Sequence, residues 1–110
     1  MALKKNYIFA DVIITDAFIR ITDVNIHHNP ELALELDPLT TSKHICNRVT
    51  LEIKSAKNKK KVDIWSSETF NFVVDLKKDV IKQAYDHLKK LSDKEVENGT
   101  SLSTAVDVND

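Results

Sequence analysis

One glycine (Gly99) and one cysteine (Cys46) occur in the 110-residue chain. A single glycine leaves no Gly-rich loop to cradle a phosphate and no Gly-x-Ser-x-Gly elbow, which argues against a nucleotide-using enzyme. A single cysteine excludes an internal disulfide, a four-cysteine zinc site and a redox pair, and it suits a reducing compartment. No 18 apolar residues run together, so no membrane-spanning helix is expected. Residues 1–6 lack the apolar stretch of a signal peptide, so synthesis and retention in the cytoplasm are expected, unless a larger assembly carries the protein out. Neither sign of charge dominates, since the net charge is −1. Duplex-binding proteins usually present a net positive face, so a nucleic-acid partner is not expected.

The remaining composition, 42% hydrophobic and 30% charged, belongs to a globular chain of one-domain length. Periodicity changes once along it. Up to about residue 74 the pattern is β. Residues 7–14 form a β-branched and aromatic segment in which Asp11 marks a bulge or bend, and Thr15-Asp16 is a plausible turn. Residues 17–26 read as a second strand, with Phe18, Arg20, Thr22, Val24 and Ile26 on one face and Ile19 and Ile21 on the other. Pro30 breaks it, and residues 29–42 read as a loop, with a short strand or one helical turn over residues 31–36.

The clearest alternation spans residues 43–54. Ile45, Asn47, Val49, Leu51 and Ile53 point one way; His44, Cys46, Arg48, Thr50, Glu52 and Lys54 point the other. Residues 57–61, four lysines around Asn58, read as a hairpin tip, after which Val62, Ile64 and Ser66, then Phe70, Phe72 and Val74, resume the β pattern. From Asp75 the period becomes helical: Leu76, Val80, Ile81, Ala84, Tyr85, Leu88 and Leu91 share a face, with Asp75 or Asp79 as cap. A helix this short is marginal alone and must dock on the sheet. The predicted fold is mainly β (α+β): a small antiparallel β-sandwich or curled sheet with one C-terminal amphipathic helix. The domain spans residues 1–91, its closing helix residues 76–91, and residues 92–110 form a polar arm.

No chemistry-bearing constellation emerges. His27, His28, His44 and His87 lack a zinc spacing, so no metal and no cofactor is expected. His44 and Cys46 share a strand face, but catalysis there lacks an activating environment, and no catalytic residue is assigned. The 57–61 tip reads first as a solvated turn. Trp65 is expected in the core, with an exposed anchor at a subunit contact as the alternative. Phe70, Phe72 and Tyr85 are further packing or interface anchors.

Three segments resemble small proteins encoded among the structural genes of tailed bacteriophages and prophages. The opening Met-Ala-Leu-Lys-Lys with Tyr7-Ile8-Phe9 resembles their first strand, and Ala17-Phe18-Ile19-Arg20-Ile21 their second. Residues 81–91 (IKQAYDHLKKL) are similar to their closing helix, and residues 102–108 (LSTAVDV) to their ending, with a longer, more polar spacer. The likeness covers the two ends, about half the chain. It implies a non-enzymatic virion protein of the tail, baseplate or neck, made in the host cytoplasm, whose partners are other copies of itself and other virion proteins, without membrane or small-molecule substrate. Interface candidates are Trp65, Lys59, Lys60, Ala105, Val106 and Val108. The alternative is a binding module contacting nucleic acid or a host protein through the 57–61 loop.

Overall fold

The structure, a computed structural model, describes residues 1–91 and 101–108. Along the chain come β1 (Ala2–Phe9), β2 (Val12–His28), α1 (Pro30–Leu36), β3 (His44–Lys54), β4 (Ile64–Val73), α2 (Val80–Leu88) and β5 (Val106–Val108). The strands form one antiparallel sheet in the order β4-β3-β2-β1-β5. The mainly β, α+β architecture expected from periodicity is present, among the described residues as a single sheet carrying two short helices rather than one.

The apolar segment 7–14 proves to be two strands. Ala10 and Asp11 connect them, with Ala10 at φ 52°, a left-handed conformation that costs a non-glycine residue roughly 1–2 kcal/mol. Thr15-Asp16, the expected turn, lies inside β2. Asp16 stands at φ 50° beside a register shift between Lys5 and Tyr7, and its N–H donates to Asn6 Oδ1 at 2.8 Å. This bulge bends the hairpin.

The bend curls the sheet. In a flat sheet β1 and β4 would lie three strand spacings, roughly 14 Å, apart. Instead the Tyr7 hydroxyl donates to Ser66 Oγ at 3.4 Å. The inner face so enclosed holds Leu3, Tyr7, Ile14, Ala17, Ile19, Ile21, Val49, Leu51 and Ile53. Ser66 and Glu68 are also buried. Burial pushes the Tyr7 phenol above its usual pKa; the nearby Glu68 carboxylate adds to this and the Ser66 hydrogen bond opposes it.

Register shifts also alter the strand faces. In β2, a shift between Ile21 and Asp23 turns Val24 and Ile26 to the inner face, away from Phe18 and Arg20, with which simple alternation groups them. In β3, Asn47 is an extra residue between the pairs Asn25–Arg48 and Ile26–Cys46. Cys46 therefore joins the core with Val49, contrary to the outward position expected for it, while Ile45 is buried outside that core. β4 runs unbroken from Ile64 to Val73, its Ser66-Ser67-Glu68 stretch included, and begins after Val62.

Residues 30–36 are helical, not an edge strand. Pro30 occupies the first helical turn, where its fixed φ is already suitable, and Asn29 Oδ1 accepts from the Leu32 N–H at 3.1 Å as the N-cap. The second helix is shorter than its apolar period. Residues 75–79 form a turn in which Asp75 Oδ1 accepts from the Lys77 N–H, and the Gln83 amide both accepts from and donates to the Asp75 backbone. Asp79 is the cap, accepting from the Lys82 N–H at 3.1 Å. Leu76 is consequently left exposed, while Ala84, Tyr85 and Leu88 are buried.

Residues 92–100 of the expected polar arm lie outside the described residues. Residues 101–108 belong to the fold. Leu102 joins the core, Lys5 Nζ donates to the Ser101 carbonyl at 2.6 Å, and β5 pairs Ala2, Leu3 and Lys4 with Val108, Asp107 and Val106. The packed unit therefore continues past the boundary at residue 91.

Candidate interaction surface

α2 covers the inner face, and α1 packs near one end of β3 and β4. Among the described residues, no helix covers much of the outer face of the sheet. Because paired residues share a face, the register sets its side chains in rows. One row reads Val108, Ala2, Arg20, Glu52, Trp65; the next reads Val106, Lys4, Phe18, Lys54.

Trp65 is 59% exposed. The core position expected for it is overturned, because Ile64 and Ser66, its neighbours in β4, take the inner face. Val106 is exposed and Val108 half-buried on the same outer side, whereas Ala105 is buried against the domain itself. An intermolecular role for Ala105 is thus not supported by its placement.

The 55–63 loop supplies the lysines. It is held by the Asp63 N–H donating to the Ile53 carbonyl at 2.9 Å and by the Ser55 N–H donating to Asp63 Oδ2. This geometry brings Lys59 back over the sheet, its Nζ 4.5 Å from the centre of the Phe18 ring, with Lys4 on the same ring at 5.9 Å. Such exposed cation–π contacts contribute about 0.5–1 kcal/mol each. Lys60 is exposed at the tip. Glu52, little exposed, lies 3.6 Å from Lys54 and 3.9 Å from Arg20. The rows carry Lys4, Arg20 and Lys54, with Lys59 over Phe18, against the carboxylates of Glu52 and, further along opposite Thr50, Asp23, so this face is basic although the chain is not. Beside it, Phe9, Arg48, Thr50, Trp65, Ser66 and Ser67 line a shallow groove of about 480 Å³.

Four of the six interface candidates, Trp65, Lys59, Val106 and Val108, are thus assembled at one face. Sequence reasoning missed Lys4, Phe18, Arg20, Glu52 and Lys54 as its other members. Phe18 and Arg20 were legible as sharing one strand face, and Glu52 and Lys54 as sharing another, but strand order was needed to set them beside Trp65.

The other sequence candidates do not converge. Cys46 is buried, its thiol donates weakly to the Arg48 carbonyl at 3.6 Å, and burial pushes its pKa up, the reverse of an activated nucleophile. A larger groove of about 670 Å³ near α1 includes Ser42, whose hydroxyl is committed to the Val74 carbonyl. Among the described residues no three His, Cys, Asp or Glu side chains gather as a metal site, and no helix is long and apolar enough to cross a membrane. No protein-family model, curated protein or solved structure matches the chain.

Proposed function

We propose that this protein is a non-enzymatic assembly component of a phage virion, in the tail, baseplate or neck, and that its outer sheet face is a contact surface between copies. The observation that carries this reading is the exposed Trp65 in a row with Arg20 and Glu52, next to Phe18 under Lys59. Trp and Arg are the residue types that most often anchor protein interfaces. The face is basic while the chain has net charge −1, so the rest of the chain is correspondingly acidic. Two basic faces repel each other across a two-fold axis. The basic face of one copy is complementary instead to acidic surface on the next, and head-to-tail contacts of this kind generate rings or helical arrays. The likeness of the two chain ends to small phage structural proteins points the same way.

The test for the virion is direct. Purified particles from a producing strain should contain the protein at a stoichiometry of several copies, by quantitative mass spectrometry. Particles that assemble fully and lack it would refute the assignment.

A second reading is favoured by the same face, because basic side chains interleaved with Phe18 and Trp65 also suit the backbone and bases of a single-stranded nucleic acid. Binding to an oligonucleotide that falls steeply with salt and is lost in Lys59→Glu would support it. No binding at low salt would exclude it.

A further inference from the structure

β2 and β3 end together on a pair of histidines. His28 is opposite His44 as the terminal pair of the ladder. Their ring centres lie 5.4 Å apart with the planes at 76°. Backbone hydrogen bonds fix both positions. The Asn29 N–H donates to the Lys43 carbonyl at 2.8 Å, the His44 carbonyl accepts from the Val74 N–H at 3.0 Å, and the His44 N–H donates to Ser42 Oγ at 3.3 Å. His28 is exposed and His44 half-buried, so an ion can reach both. His27 is paired with Ile45 and belongs to the opposite face.

A divalent ion lies about 2.0–2.1 Å from a ligating imidazole nitrogen, hence about 3.2 Å from the ring centre; a tetrahedral angle then separates two ring centres by about 5.2 Å. The observed spacing is close to this value, so chelation requires side-chain rotation without backbone movement. We infer that His28 and His44 form a two-histidine site for a borderline transition ion, Cu²⁺, Ni²⁺ or Zn²⁺. Imidazole ligands favour these ions over Mg²⁺ and Ca²⁺. With two protein ligands, water completes the coordination, and the site is weaker than a four-ligand structural zinc centre. Because the ion ties the end of β2 to β3 only in the folded state, its binding raises stability by linkage.

Nickel chloride titrated into the full, untagged chain tests this by calorimetry and thermal melting. One ion should bind per chain, with a rise in Tm that magnesium chloride does not produce. His28→Ala and His44→Ala should each lower affinity by about 100-fold or more, because the second imidazole acts as an intramolecular ligand. His27→Ala and His87→Ala should retain wild-type binding. Metal-free melts, with His44→Gln as a milder second variant, separate loss of the site from loss of the fold. The inference is overturned if wild type shows no saturable Ni²⁺ binding, if binding survives removal of both His28 and His44, or if His27→Ala abolishes it.

Discussion

Tyr85 stands where a backbone pair would otherwise be. β1 pairs Leu3 with Ile19, and one step beyond its first residue the strand gives out beside Ile21. There the Tyr85 hydroxyl accepts from the Ile21 N–H and donates to the Met1 carbonyl, both at 2.9 Å, so a helix side chain continues the ladder. Its ring is buried. Burial pushes the phenol pKa up, with the Ile21 bond opposing. Tyr85→Phe leaves the Ile21 N–H without that partner and should cost about 1–3 kcal/mol in urea unfolding; a loss well under that range would mean that the hydroxyl is replaceable. His87 stacks on Phe72 with ring centres 4.1 Å apart. Its pKa lies below the ordinary value of 6.5, chiefly through burial, with Lys90 adding and Asp86 opposing. The unfolded chain therefore takes up the proton first. The contribution of His87 is complete above pH 6.5 and is lost as pH falls from there toward the lowered folded value. The urea midpoint should accordingly drop on acidification through this window, and by less in His87→Gln; an equal drop in both proteins would remove His87 as the cause.

At the scale of elements, the sequence was legible where one period runs without interruption. Residues 48–54 and the lysine-rich tip fall where alternation and composition place them. It was misleading where a single residue breaks the count. Ala10 takes the left-handed turn position without glycine, so the β1–β2 hairpin carried no turn signature. Asn47 adds one residue to β3 and thereby moves Cys46 inward, a shift that depends on pairing with β2 and cannot be counted along one strand. The apolar period of α2 begins at Leu76, but the helix begins where Asp79 satisfies its first N–H groups. Asp79→Ala should destabilise the fold by about 0.5–2 kcal/mol, read by chemical unfolding, whereas Asp75→Ala, at the alternative cap position, should leave the helix start unchanged. If Asp75→Ala proved the costlier change, the hydrogen-bonded turn through Gln83 would matter more than the cap.

At the scale of the molecule, the curl of the sheet separates two surfaces of opposite character. The inner one is closed by α2, Leu102 and the folded-over hairpin, while among the described residues no helix covers much of the outer, basic one. Its residues come from all five strands and one loop. The sequence contained every one of them, yet only the order β4-β3-β2-β1-β5 makes them neighbours, which is why Lys4, Phe18, Arg20, Glu52 and Lys54 were not joined beforehand to Trp65, Lys59, Val106 and Val108. An exposed tryptophan contributes little to the monomer's stability, so Trp65→Ala should change unfolding by no more than about 0.5 kcal/mol. Its effect belongs to association. Sedimentation velocity of the full chain across a hundredfold range of concentration measures this directly. Assembly through the outer face predicts mass above one chain for wild type, weakening with salt, and a shift to monomer in Trp65→Ala and Arg20→Glu with unchanged circular dichroism. A wild-type protein that stays strictly monomeric throughout, or a Trp65→Ala protein that assembles as wild type does, would contradict it.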